Sequence, residues 1–206
     1  MKRRWTLLAV GLAATGVACG TSAPSKFYTL RSTAGPDNGP PVHSSVMVGP
    51  VTVPASVDRL ELVVQVAPNR VEIDEFNRWA APLDTSIART IAGDLTTLLE
   101  TPDVAAWPMA NFNPAYRVTI DVQQFQSVPK QEVLIDAVWT VRKAAGGDTR
   151  AGRTIARETV RGTDYDAIAA AYSRALSQVS ADIAAAIRTE AEPKPSPTPQ
   201  GARKRR

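Results

Sequence analysis

Apolar residues recur along this chain with two different periods, and the period sorts the segments into strands and helices. Tyr116, Val118, Ile120 and Val122 alternate with Arg117, Thr119, Asp121 and Gln123, the pattern of a half-buried strand. Phe125 breaks that parity, which predicts a bulge near Gln123-Gln124. Val133, Ile135, Ala137, Trp139 and Val141 share one face of the next strand, over Val133–Arg142, while Leu134 and Val138 add apolar character to the other. That strand is expected to be central in its sheet. Gly146-Gly147-Asp148 reads as a turn, and Thr154–Val160 as a returning strand that completes an antiparallel meander.

Shorter strands are expected earlier. Phe27–Leu30 is rich in aromatic and branched residues; Val46–Val53 is interrupted or bulged at Gly49-Pro50; Glu61–Ala67 and Val71–Asp74 flank Pro68-Asn69; Val104–Trp107 is a further short run. Two segments change the period to that of a helix. Leu83, Ile87, Ile91, Leu95 and Leu98 form one apolar stripe from Pro82 to about Glu100. Ile168, Tyr172, Leu176, Val179, Ile183 and Ile187 form another from Asp164 to about Arg188, with Thr163-x-x-Asp166 as a capping box. A helix with one apolar stripe must lay it against another layer. The expectation is a single α/β domain over residues 27–189, a mixed β-sheet with two long packing helices.

The ends of the chain carry different information. Lys2, Arg3 and Arg4 precede an apolar run, Trp5–Ala14, which has signal-peptide length and is too short to span a bilayer. Small residues lead to the lone cysteine in Thr15-Gly16-Val17-Ala18-Cys19-Gly20, which resembles a bacterial lipobox. Residues 1–18 are then a signal peptide, and Cys19 is the lipidated mature terminus, tethered through residues 20–26. An ordinary signal peptide cut near Ala18 would instead leave a free thiol. Gly20, rather than Asp, after the cysteine favours the outer membrane. At the other end, residues 190–206 alternate Pro with polar residues and finish Arg203-Lys204-Arg205-Arg206, a composition that cannot bury a core and predicts disorder.

The formal charge of +4 is misleading as a whole-chain value. Three basic residues lie in residues 1–18 and five after residue 192, so sixteen basic residues face all twenty acidic ones between them, a net −4. A mildly acidic domain argues against nucleic-acid binding. One Cys and one His exclude a Cys/His zinc site. His43 falls in the Gly- and Pro-rich segment 32–45 and reads as a solvated loop residue.

The sequence also lacks the usual catalytic and cofactor motifs. Gly-x-Gly-x-x-Gly, a phosphate loop, His-Glu-x-x-His and a nucleophile elbow are all missing. Ser127-x-x-Lys130 matches a Ser-Lys hydrolase pattern, but Pro129 prevents the helical turn that would join the pair, and a hairpin is expected. Asp58, Asp74, Glu75 and Asp84 could do acid–base work only if the fold gathered them. No metal, cofactor or catalytic residue is therefore expected. Two Pro-containing charged segments are less ordinary: Gly49–Arg59 and Phe76–Asp84. The second places Trp79 beside Arg78, residue types enriched at interfaces; Trp79 either caps the core beneath the first helix or stands at a contact surface.

Together these residues resemble the PqiC/YmbA-type family of ABC-type transport auxiliary lipoproteins. The resemblance rests on Cys19, Phe27-Tyr28-Thr29-Leu30, a Gly-Pro-Val-x-Val-Pro run leading to Asp58-Arg59, and Arg78-Trp79-Ala80-x-Pro82-Leu83 before a helix. It spans about Phe27–Arg188. Asn77 stands where the family pattern has His, and Leu60-Glu61 where Pro-Gln is usual. The resemblance implies a fold like anticodon-binding and TolB amino-terminal domains. It also implies a non-enzymatic role beside MCE (mammalian cell entry) proteins of an ABC-type lipid transporter, with a lipid anchor in the membrane. Pro54, Asp58, Arg59, Arg78, Trp79, Pro82 and Leu83 become the candidate family motif or partner interface. A homo-oligomer is compatible with the same features, and so is an envelope-assembly or cell-wall-binding lipoprotein.

Overall fold

The computed structural model describes residues 23–146 and 149–191; the expected signal peptide, Cys19 and the tail from residue 192 lie outside them. The described chain runs β1 (Lys26–Tyr28), β2 (Val46–Thr52), β3 (Glu61–Ala67), β4 (Arg70–Trp79), α1 (Leu83–Leu98), β5 (Val104–Ala106), β6 (Tyr116–Val128), β7 (Glu132–Lys143), β8 (Thr149–Thr159) and α2 (Tyr165–Ala191). It is a mixed α/β domain, but the strands form two sheets rather than one. The larger has the order β5-β2-β6-β7-β8 and the smaller β1-β4-β3.

The larger sheet is parallel through β5, β2 and β6, and an antiparallel meander through β6, β7 and β8. Its register shifts between Val48 and Val51, and between Val122 and Gln124, where the sequence places its two bulges. Gly49 sits at the first of these with φ +118°, and a Cβ there would lie 2.9 Å from the Trp107 Cβ. Only glycine combines that conformation with so close an approach. β7 lies between β6 and β8, as its two-sided apolar character requires.

The helices cover one face of this sheet, α1 over β2 and β5 and α2 over β7 and β8, and they also pack on each other. Val46, Val48, Val118 and Ile135 from the sheet meet Ile87, Ile91, Leu95, Leu176, Ile183 and Ile187 from the helices in a closed core. Both apolar stripes face inward. α2 starts one residue later than its expected cap pattern implies: Asp164, not Thr163, caps it, its Oδ1 accepting the Ala167 N–H at 2.9 Å. Asp reaches the N–H three residues on, which satisfies one of the unpaired donors of the first turn. At the other end α2 continues to Ala191, past the expected start of the tail.

The smaller sheet shows the main departure from the sequence pattern. β4 runs to Trp79 instead of ending at Asp74, because its last residues pair in parallel with Lys26–Tyr28. Its pairing with β3 is broken by a wide bulge: Glu61 faces Arg78, whereas the adjacent Leu62 faces Asp74. Residues 75–77 loop out between them, and that irregularity hides the strand from any test of alternation. The sheet is docked where Ser127, near the end of β6, donates a 3.4 Å hydrogen bond to the Val63 carbonyl.

Candidate functional site

The two charged segments singled out by the sequence meet at the smaller sheet. Pro54–Leu60 turns from β2 into β3, with the Val57 and Asp58 N–H groups both donating to the Pro54 carbonyl at 2.9 and 3.1 Å. Asp58 and Arg59 are exposed on this turn. Arg78 stands on β4 opposite Glu61, and its guanidinium donates to Glu61 Oε1 at 2.6 Å. Its Nε is buried without a hydrogen-bond partner. A shallow depression is lined by Ser25, Arg59, Glu61, Ile73, Glu75, Phe76 and Arg78, so Arg59 and Arg78 do come together, with two carboxylates beside them.

Trp79, Pro82 and Leu83 fall elsewhere. Trp79 is 3% exposed and belongs to the core. Its ring packs edge-on against Phe125 and Tyr172, at centroid distances of 6.3 and 6.1 Å, and these two stack on each other at 3.9 Å. Leu83 is equally buried at the start of α1. Pro82 is exposed at the helix N-cap, one residue before the first helical position. The Arg-Trp-Ala-x-Pro-Leu segment thus alternates between surface and core: Arg78 outward, Trp79 inward, Pro82 outward, Leu83 inward. The inward pair fixes the direction in which Arg78 is presented.

A crevice of about 250 Å³ opens on the other side of the Pro54 turn. It lies between β3 and the bulged stretch of β6, with Pro54, Val57, Val63, Val71 and Phe125 among its apolar walls and Gln65, Gln123, Gln124 and Gln126 among its amides. Arg70 lines it as well, and amides beside apolar walls suit an extended polypeptide.

Two polar centres hold the fold together, one on a carboxylate the sequence offered only as an acid–base candidate and one on a carboxylate it did not single out. The first is Asp74, whose Oδ1 accepts the backbone N–H groups of Phe76 and Asn77 at 2.9 and 3.1 Å, and whose Oδ2 accepts the Asn77 amide at 2.9 Å and the Tyr165 hydroxyl at 2.8 Å. Tyr28 completes the cluster by donating to Asn77 Oδ1 at 2.7 Å. Burial raises the Asp74 pKa, but the hydrogen bonds from Tyr165, Asn77 and the two N–H groups outweigh it and leave the carboxyl below its ordinary value. The Tyr165 phenol is raised, first by burial and then by this carboxylate. The second centre is Asp94, fully buried on α1. It accepts from Ser32 Oγ at 2.8 Å, Thr33 N at 2.9 Å, Ala34 N at 3.0 Å and Ser180 Oγ at 2.9 Å. One carboxylate therefore joins α1, α2 and the segment after β1. The available signal was a carboxylate inside the apolar stripe, between Ile91 and Leu98.

The Ser127-x-x-Lys130 pattern falls on a strand end and a hairpin turn, as expected. Ser127 is buried and bonded to Val63, and Lys130 lies in the β6–β7 hairpin turn with φ +63°. Among the described residues no three His, Cys, Asp or Glu side chains are gathered as metal ligands. His43 is exposed. No described helix is long and apolar enough to cross a membrane.

Comparison with known proteins follows the same lines. No curated protein matches the chain. A crystal structure of an uncharacterized protein superposes with a TM-score of 0.65 at 22% identity, over 80% of this chain and 99% of the other. Protein XCC0632 from Xanthomonas campestris, of family DUF330, superposes with a TM-score of 0.64 at 18% identity, over 80% of this chain and 96% of its own. At these identities the likeness establishes the fold. The family model described as the ABC-type transport auxiliary lipoprotein component matches residues 28–184, from the last residue of β1 into the last third of α2, and so takes in the Arg59–Arg78 face. The chain belongs to the ABC-type transport auxiliary lipoprotein family.

Proposed function

We propose that this protein is a non-enzymatic lipoprotein of an MCE/ABC-type intermembrane lipid transport system, anchored through Cys19 to the periplasmic face of the outer membrane. It docks or tethers the lipid conduit there. Membership of the transport auxiliary family is the observation that carries this reading. The docking surface is the Pro54–Arg59 turn with the crevice behind it, and the Arg78–Glu61 pair marks its border with the outer face of the smaller sheet. Trp79 and Leu83 support that surface from the core, and Pro82 lies at its margin. A rigid aromatic cluster beneath an exposed turn suits a binding surface, because a contact surface held in place loses little freedom on association.

The test is site-specific photo-crosslinking in the native envelope. A photoreactive side chain replacing Ser56 or Gln124, at the crevice, should capture the MCE protein of the transporter; one replacing Ala144, on the β7–β8 connection, should not. Capture from neither crevice position, with a membrane barrier unchanged on deletion of the protein, would overturn the reading.

A further inference from the structure

The outer face of the smaller sheet carries apolar side chains that no other described element covers. Phe27 on β1 is 63% exposed, and Ile73 and Phe76 on β4 are 46% and 43% exposed. They are neighbours: Phe27 stands beside Arg78 in the sheet register, and Ile73 and Phe76 line the same depression as Arg78. Single exposed apolar residues need no explanation, but a contiguous group does.

Their display is built into the backbone. Residues 75–77 form the wide bulge of β4, and the Asp74 carboxylate fastens it through the N–H groups of Phe76 and Asn77 and the Asn77 amide. Phe76 is thereby held toward solvent. On β1 the alternation sends Tyr28 inward to its hydrogen bond with Asn77 and leaves Phe27 outside.

The covalent chain indicates what lies opposite. Ser25, on the wall of the depression, is six residues after Cys19. A fully extended chain covers about 3.3–3.6 Å per residue, so an anchor on Cys19 holds this face within roughly 20 Å of the lipid. The far end of the larger sheet, where Tyr116 pairs with Lys143, is separated from the Ser127–Val63 contact by the length of β6, roughly 35 Å. The domain therefore has a proximal and a distal end, and the uncovered apolar group is proximal.

We infer that this face lies on the bilayer surface. Phe27, Ile73 and Phe76 enter the interfacial region, while Lys26 and the exposed carboxylates of Glu72 and Glu75 beside them stay in the hydrated headgroup layer. The lipid anchor supplies affinity, and the face supplies orientation: it fixes which side of the domain the crevice presents to a conduit. The inference rests on Cys19 as the lipidated residue and is independent of the partner's identity.

Acylation of Cys19 consumes the only native thiol, so a cysteine introduced elsewhere can be labelled alone in the full lipidated chain. Phe76→Cys, Phe27→Cys and Ala144→Cys, each carrying an environment-sensitive fluorophore, are reconstituted in vesicles of phosphatidylethanolamine and phosphatidylglycerol. Nitroxide-bearing lipids should quench the probes at positions 76 and 27 several-fold more than the probe at 144, with a blue-shifted emission. Equal quenching of all three by an aqueous nitroxide overturns the inference. Shielding of 76 and 27 from both quenchers, relieved on dilution of the protein in the membrane, overturns it in favour of a second copy of the chain. The anchor is read separately by vesicle flotation, which Cys19→Ala should abolish. A parent chain that does not float overturns the anchor reading and the inference with it, whereas one that floats with aqueous probes overturns the inference alone.

Discussion

The Tyr165 hydroxyl donates a 2.8 Å hydrogen bond to Asp74 Oδ2, tying the first residue of α2 to the bulge of β4. The same carboxylate holds the bulge through three further bonds, so α2, the bulge and, through Asn77, Tyr28 of β1 form one unit. The candidate face is oriented against the rest of the domain through this cluster. Tyr165→Phe removes one donor and leaves the ring, which packs 5.9 Å from that of Tyr28. We expect a loss of about 1 kcal/mol at pH 7. The folded pKa of Asp74 is depressed, so its stabilisation is present above the unfolded value of about 3.9 and is lost as pH falls through the folded pKa. The difference between wild type and Tyr165→Phe in urea unfolding should therefore shrink from pH 7 to pH 3. A difference independent of pH would show that the charge on Asp74 plays no part.

Asp94 should be the most sensitive polar residue in the domain. Asp94→Ala leaves Ser32 Oγ, two backbone N–H groups and Ser180 Oγ without their acceptor. Ser180 can turn its single hydroxyl hydrogen wholly to the Leu176 carbonyl, and the segment around Thr33 can recruit water, which moderates the loss. Hydrogen bonds to a charged group are worth about 1.5–3 kcal/mol each in favourable cases, so a total near 3 kcal/mol is expected, with partial recovery in Asp94→Asn. Chemical denaturation measures both. Equal stability of the alanine variant and wild type would exclude this role.

These two carboxylates also mark where sequence reading stops. The core was legible: alternation in Tyr116–Val122 and the stripes Leu83–Leu98 and Ile168–Ile187 are regular because one side of each element faces a continuous apolar layer. The bulges at Gly49-Pro50 and Gln123-Gln124 were legible for the same reason, since each interrupts a pattern otherwise kept. The smaller sheet was not. Its β4 carries Glu72, Asp74, Glu75 and Asn77 and pairs with a three-residue strand from the start of the domain, a long-range contact that leaves no local period. Of the candidate interface, Asp58 and Arg59 lie on an exposed turn, in keeping with their Pro-containing charged segment, but only long-range packing decides that Trp79 turns inward while Arg78 beside it turns outward.

Gly152 should not tolerate a side chain. It lies on β8 opposite Trp139, and a Cβ there would fall 2.2 Å from the Trp139 ring. The ring cannot simply swing away, because its Nε1 donates to Thr154 Oγ1 at 3.0 Å and Thr154 donates to Asp182 Oδ2 at 2.6 Å. Overpacking of this kind costs about 1–3 kcal/mol. Gly152→Ala should lower the thermal midpoint and shift tryptophan emission. An unchanged midpoint would mean that the Trp139 contact yields without strain.

The Asp136–Arg153 pair should respond asymmetrically to substitution. Two of the three guanidinium nitrogens, Nε and Nη2, engage the carboxylate, at 2.8 and 2.6 Å, yet the Asp136 side chain is 4% exposed and that of Arg153 58%. Removing the carboxylate leaves a guanidinium that water can solvate, so Asp136→Ala loses chiefly the pair and its packing. Removing the guanidinium strands a buried carboxylate without its partner, and Arg153→Ala should be destabilised by about 1–3 kcal/mol more than a typical surface substitution. The Arg153 hydrogen bonds lower the Asp136 pKa against the opposing effect of burial. This stabilisation is therefore held above the unfolded carboxylate pKa and lost as pH falls through the depressed one. In Arg153→Ala that depression disappears and burial alone remains, which raises the Asp136 pKa, so this variant should take up a proton at higher pH than wild type. Carboxyl chemical shifts followed through an acid titration distinguish the two cases. An Asp136 resonance that titrates at the same pH in Arg153→Ala and wild type would show that the arginine does not set its charge.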